Sequence, residues 1–311
     1  MPLPIKNSFL KSLPFVAALF AMTMATPPRS ALSAGREAAV PVDSVPRTSP
    51  WSRDTLAGVS GKLWMKLMSS RRGDTTGILA RLFGDSAARN PGVYVARDSG
   101  QGGDFTFVNL VPFAAKKKGM LGDYRMGSWP AEHRALSGQY GNPEGFIQVT
   151  PENQHTRISE HFRLRDFLTK DQASVWPKYL VLREGLIDKL ELVIGALNQR
   201  GLNVARMSVM SGFRTPQYNE RGVGAGGRTQ NSRHQFGDAA DVFVDNDGDG
   251  GMDDLNGDGR VNTGDARFLA QVVEQVEQQH PELTGGVGIY SATSAHGPFV
   301  HVDVRGTRAR W

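Results

Sequence analysis

The chain has 311 residues, enough for two domains at about 150 residues each. With 39% hydrophobic and 22% charged residues it has the make-up of a soluble globular protein rather than a disordered one. It has no cysteine, which excludes disulfides, thiolate metal sites and a cysteine nucleophile, so any metal must be held by Asp, Glu or one of only seven histidines.

The net charge of +5 is unevenly spread. The first 34 residues carry Lys6, Lys11 and Arg29 and no acid, whereas residues 245–265 hold seven aspartates and one arginine. The remainder is therefore more basic than the total. Such a body suits an anionic polymer, nucleic acid or cell wall, and equally an ordinary basic surface.

In chain order, the N-terminus reads as a secretory signal or N-terminal anchor over residues 1–34. Lys6 and Lys11 precede Leu13 to Ala25, an apolar run of thirteen. That is short of the ~20 residues of a membrane span and right for the centre of a signal peptide. Cleavage falls after Ala25 or near Ala34, and neither is a clean small-x-small site, so an uncleaved anchor stays open. Export to the periplasm or the cell exterior follows. Residues 26–50 are rich in Pro, Ser and Ala and poor in large apolar groups, and 35–50 is expected to be a disordered linker.

Residues 51–155 read as an accessory region of unknown role. Leu63 to Met68 and Ile78 to Phe83 are expected as short helices. Val93 to Val95 and Phe105 to Leu110 are expected as strands between Gly, Asp and Ser turns. Lys116 to Lys118 reads as a solvated turn. From about residue 156 the pattern changes. Val181 to Gln199 sets Leu182, Leu186, Ile187, Leu190, Val193, Ile194 and Leu197 on one helical face, and Gly201 stops it. Phe268, Leu269, Val272, Val273 and Val276 form a second stripe. Val204 to Met210, Asp241 to Val244 and Phe299 to Val304 read as strands. The fold class expected is α+β, with a small antiparallel sheet and flanking helices over 156–311, preceded by the small β-rich accessory region.

The most informative segments are Ser232-Arg-His234-Gln-Phe-Gly237-Asp-Ala239-Ala-Asp241 and Phe299-Val-His301-Val-Asp303. Seven residues separate His234 from Asp241, a spacing that misses one face of a continuous helix. It works if the chain turns at Gly237 and enters a strand carrying Asp241. His301, mid-strand, can then point its ring beside Asp241. Two imidazoles and a carboxylate are a common catalytic zinc set, with the fourth position left for water.

These segments, with Ile158-Ser-Glu-His-Phe162, Ser211-Gly-Phe-Arg-Thr-Pro216 and Phe299 to Trp311, resemble the zinc D-alanyl-D-alanine metallopeptidase family of murein carboxypeptidases and endopeptidases. The resemblance covers residues 156–311 and leaves out 35–155. It implies the hedgehog/DD-peptidase fold, zinc ligands His234, Asp241 and His301, and an arginine, Arg214, that holds substrate charge or an oxyanion. It further implies that Ser232 bonds near the site and Gly237 makes a tight turn.

The sequence departs from the family at the general base. An Asp or Glu three residues before the last ligand is replaced by Pro298, and a His two before it by Phe299. His296 is left as a candidate acid/base. Asp303, two residues past His301 on the same strand face, is a second candidate and the favoured orienter of that imidazole.

Within the acidic insert 245–265, Asp254, Asn256, Asp258, Arg260, Asn262 and Asp265 fall at ligand positions of a twelve-residue calcium loop, with Gly259 at its sharp turn. The loop resembles the dockerin type of EF-hand. Asp245, Asp247, Asp249 and Asp253 form an overlapping second set that lacks a complete second half.

The function expected is an exported zinc peptidase hydrolysing stem peptides of peptidoglycan by metal-activated water. Calcium is structural, and no nucleic acid and no membrane beyond the N-terminal anchor take part. One alternative is a non-catalytic cell-wall binding module stabilised by zinc and calcium. Another is a calcium-dependent adhesion protein.

Overall fold

A computed structural model describes residues 56–68, 77–97, 103–224 and 227–311. The expected signal or anchor 1–34 and linker 35–50 lie outside the described residues. Among those described, no helix is long and apolar enough to cross a membrane.

The elements in order are β1 (Met65–Met68), α1 (Ile78–Phe83), α2 (Asp85–Arg89), β2 (Gly92–Ala96), β3 (Phe105–Asn109), β4 (Val111–Pro112), β5 (Met120–Leu121), β6 (Tyr124–Arg125), β7 (Gly145–Val149) and β8 (Lys178–Leu180). Then come α3 (Glu184–Asn198), β9 (Met207–Ser211), α4 (Pro216–Glu220), β10 (Ala239–Val244), α5 (Thr263–Gln279), β11 (Gly286–Tyr290), β12 (Phe299–Asp303) and β13 (Ala309–Arg310). The fold is mixed α+β, with small sheets and few helices.

One expected helix is a strand. Leu63 to Met68 alternates rather than turning: Leu63 and Met65 are buried while Trp64 and Lys66 are only partly covered. β1 lies parallel to β3, Met65 opposite Thr106, in a three-stranded sheet of order β1-β3-β2. Six residues cannot hold a helix in water without packing. Here pairing to the wholly buried β3 decides the conformation, and Glu184 adds to it by accepting from Leu67 N at 2.6 Å and Lys66 Nζ at 2.8 Å.

The sheet that matters for function has the order β13-β11-β12-β10-β9. Its pairs are antiparallel except β11 with β13. Alternation gives it two unlike faces. Ala240, Val242 and Val244 of β10 with Val300 and Val302 of β12 are fully buried, branched for the most part and suited to a pleated surface. They join one apolar core with Leu186, Ile187, Leu190, Val193 and Ile194 of α3 and Leu269, Val272, Val273 and Val276 of α5. The other face carries Asp241 and Phe243 of β10 and Phe299, His301 and Asp303 of β12. That core draws on residues from Leu63 to Val302, so the segments 51–155 and 156–311 contribute to it together.

α3 also buries charges, each with a partner. Asp188 accepts from Val59 N and Ser60 N at 2.8 and 2.9 Å. Lys189, with no exposed surface, donates to Glu277 of α5 at 2.6 Å and to the Asp303 carbonyl at 2.8 Å, tying both helices to the end of β12. Glu191 holds His161.

Candidate metal centre

Three local features gather the side chains. His234 sits in a short 3-10 turn, Arg233–Phe236, which ends at Gly237 with φ +68. A Cβ at Gly237 would lie 2.3 Å from the Val181 carbonyl oxygen, and the Gly237 carbonyl accepts from Arg183 N at 2.8 Å. Both the left-handed backbone and the contact need glycine. The turn delivers the chain into β10, where Asp241 stands opposite His301 in register. Directly opposed residues of antiparallel strands share a face. On the other side Asp241 pairs with Ser211, and the β9 register then skips Met210, a bulge that breaks regular pairing beside the site.

The three ligating atoms converge. His234 Nε2 lies 3.2 Å from His301 Nδ1 and 3.2 Å from Asp241 Oδ1, and His301 Nδ1 lies 3.0 Å from Asp241 Oδ1. The partners on the far sides of the rings fix the tautomers. His234 Nδ1 is 2.7 Å from the Gly212 carbonyl, which only accepts, so that nitrogen carries the proton. His301 Nε2 is 3.1 Å from the Asp303 carboxylate, so it too donates. The inner nitrogens then present bare lone pairs to each other and to a carboxylate oxygen. While both rings are neutral, three acceptor atoms meet there, a set that could hold a metal ion. Their spacings are near the ~3.3 Å edge of a tetrahedron with ~2.0 Å metal bonds. The donor set of two imidazoles and one carboxylate oxygen fits zinc.

Burial and pairing pull the charges of these groups in different directions. Burial works against charge on Asp241, yet His234 and His301 hold it well below the usual carboxylate range. Burial pushes His234 down, toward the neutral form a ligand needs. His301 is held up, against burial, by its hydrogen bonds to Asp241 and Asp303. Asp303, despite burial, is kept far below the usual range by His301 and Arg305.

Asp303 stands behind His301 rather than over the site. Oδ2 accepts from His301 Nε2, while Oδ1 accepts from Gly286 N at 2.7 Å and Arg305 N at 3.1 Å, and the Arg305 guanidinium pairs with both oxygens. Arg214 donates through Nη2 to the other oxygen of Asp241 and through Nε to Ser211 Oγ at 2.8 Å. Ser232 is buried ahead of the turn, its carbonyl accepting from Gln235 N and its side chain not capping the turn. His296 lies on the loop before β12, its Nδ1 against the Gly297 carbonyl at 2.8 Å and its ring edge-on to Phe299 at 5.0 Å.

Comparison with protein-family models, curated proteins and solved structures finds no match to this chain. Function is therefore read from the residues themselves.

Sequence reasoning missed Arg305 as the counter-ion of Asp303, and it missed Trp311. The indole of Trp311 lies 5.1 Å from the His301 ring and donates to Tyr290 Oη at 2.7 Å. Gly288 makes room for it, since a Cβ there would lie 2.4 Å from the indole nitrogen. Gly286-Val-Gly288 on a strand is the signal that something large approaches the backbone.

Asp245, Asp247 and Asp249 each offer an oxygen within 4.8 Å of the others. Asp253 is pushed up by partial burial and by these three neighbours, and accepts from Asn246 N at 3.0 Å. Asp254, Asn256, Asp258, Asn262 and Asp265 each accept from backbone N–H groups of the insert or the start of α5. Asp265, buried, accepts from Leu255 N, Asn256 N and Asn262 N. Asn262 caps α5 through Gly264 N at 2.7 Å, and Asp254 accepts from Gly257 N and Gly259 N. Asn262 and Asp265 thus cap α5, while Asp254 and Asp258 shape the turn ahead of it.

Proposed function

We propose that the chain is a zinc peptidase acting on the stem peptides of peptidoglycan, with the hedgehog/DD-peptidase architecture its motifs resemble. The observation that carries this reading is the donor count. Three groups, His234, Asp241 and His301, converge, and among the described residues no fourth His, Asp or Glu joins them. Structural zinc sites use four protein ligands, whereas catalytic ones use three and keep one position open.

Zinc, when bound, supplies Lewis acidity, making water acidic near neutral pH and polarising the scissile carbonyl. The chain's own residues do the rest. Asp303 fixes the His301 ring and its tautomer, and the Gly212 carbonyl does the same for His234. Arg214 keeps a guanidinium beside Asp241, placed to hold a substrate carboxylate or a developing oxyanion. His296, on the loop before β12, is the candidate acid/base. Asp303, locked ionised behind a ligand, is an orienter rather than a base. Calcium belongs at Asp245, Asp247 and Asp249, where it would neutralise three clustered carboxylates.

A non-catalytic wall-binding module is the second reading, favoured by how little of the three ligands reaches solvent, between 1% and 6%. Mass spectrometry of sacculi digested with zinc-loaded protein separates the two. The peptidase reading expects new peptide fragments from the wild type and none from His234→Ala. Wild-type protein that sediments with sacculi yet releases no fragment contradicts it and leaves the binding module.

A further inference from the structure

A cavity of about 650 Å³ opens on the face of the sheet that carries the ligands, lined by Phe243 and Asp245 and, along one side, by Met207, Ser208, Val209 and Met210 of β9. Asp241, Phe243 and Asp245 alternate along one strand direction, so they share a face. β9 is the edge strand, and among the described residues no hydrogen bond joins the backbone of Met207–Met210 to anything outside the sheet. The strand runs out of the cavity into Ser211, which is paired with Asp241 and holds Arg214. Four residues of strand cover about 13 Å. A chain lying along β9 is thereby led from the cavity to the metal centre.

Another part of the lining is cationic. Arg163, Arg165 and Lys170 form it beside His161, whose Nδ1 is fixed at 2.7 Å on the fully buried Glu191 carboxylate. The acids nearby are already occupied. Asp166 accepts from Arg163 N at 2.7 Å and lies 3.7 Å from Arg165, and Asp245 accepts from Ser208 Oγ and Gly250 N and pairs with Arg206. The Arg163 guanidinium donates only to the His155 carbonyl, and the exposed Lys170 ammonium has no acidic partner among the described residues. Arg163 and Arg165 share the single carboxylate of Asp166, so with Lys170 the cations of this stretch outnumber its acid in a cavity that also exposes the β9 edge.

We propose that this cavity seats an acidic peptide, its backbone along β9 and its carboxylates on Arg163 and Lys170. This rests on the peptidase reading and refines it. The substrate is then a stem peptide whose side carboxylates are free, and amidated stems are discriminated against.

The test measures binding, not turnover. Fluorescence anisotropy of the zinc-loaded full chain is read with a dye-labelled stem pentapeptide bearing free carboxylates, and with the same peptide amidated at its side carboxylates. The free-acid peptide is expected to bind at least ~10-fold more tightly, as for a charge-assisted contact worth ~1.4 kcal/mol or more. Arg163→Gln combined with Lys170→Gln removes the preference. Lys170→Gln alone, at an exposed position that cannot unfold the chain, reduces it, and Arg134→Gln, an exposed arginine elsewhere, keeps it. Equal binding of the two peptides by the wild type, or a preference retained in the double variant, overturns the proposal. Protein that prefers the free-acid peptide but leaves it uncut supports this inference and contradicts the peptidase reading. Protein that cleaves both forms with equal affinity does the reverse.

Discussion

Asp303→Asn is the sharpest perturbation of the metal centre, because it alters charge and one donor while keeping shape. Asp303 has no exposed surface and makes contacts on both oxygens: His301 Nε2 and Arg305 on Oδ2, Gly286 N and Arg305 on Oδ1. An asparagine must turn its NH₂ toward either His301 Nε2–H or the Arg305 guanidinium, and both are donors. Facing His301, it removes the group that fixes the ligand's tautomer and raises its basicity. Loss of such a partner costs metal affinity about 10- to 100-fold, or ~1.4 to 2.7 kcal/mol. Breaking a buried ion pair costs ~3 to 5 kcal/mol, but the Arg305 side chain keeps 19% of its surface in water, so a stability loss of about 2 to 3 kcal/mol is expected. Zinc affinity is read by competition with a chelating indicator, and stability by urea unfolding of the metal-free chain. Arg305→Gln separates the two effects, since it lowers stability without touching His301 and should keep zinc affinity within ~3-fold. An Asp303→Asn protein that binds zinc within ~2-fold of the wild type refutes the tautomer argument, whatever its stability.

Two glycine substitutions make opposite predictions from similar close distances. Gly237→Ala drives a Cβ to 2.3 Å from a backbone carbonyl at φ +68, so it should cost about 3 to 5 kcal/mol in urea unfolding. Gly288→Ala meets only the Trp311 indole, which is half exposed and can swing away, so stability should fall by less than ~1 kcal/mol while the Trp311 indole N–H resonance shifts as its bond to Tyr290 breaks. Zinc uptake by metal-free protein should release more protons as the pH is lowered. His301 is held above its ordinary ~6.5 in the metal-free fold, so as pH falls its inner nitrogen takes up a proton that the metal must displace, and zinc affinity weakens. Calorimetry in buffers of different ionisation heat measures this, and a buffer-independent heat contradicts it.

The convergence of His234, Asp241 and His301 is legible because each sits at a strong local signal: a glycine turn, the head of an apolar strand, the middle of another. The two long helices were legible from their apolar stripes. β1 was not, since six residues carry too few turns to separate period two from period 3.6, and its partner β3 lies some forty residues away. Arg305 and Trp311 escaped for another reason. Their roles depend on what folds against Asp303 and Gly288, which no local pattern reveals. In the insert, one run of aspartates supports two overlapping loops, and spacing cannot say which carboxylates the α5 cap will consume. The packing of Asp265 under Leu255 decides it.

Elemental analysis of chain purified without chelators, wild type beside His301→Ala, goes straight to the metal. One zinc per chain in the wild type and none in the variant is the result predicted. A wild type empty after zinc is offered, or a variant that retains its full zinc, would contradict a centre built from His234, Asp241 and His301.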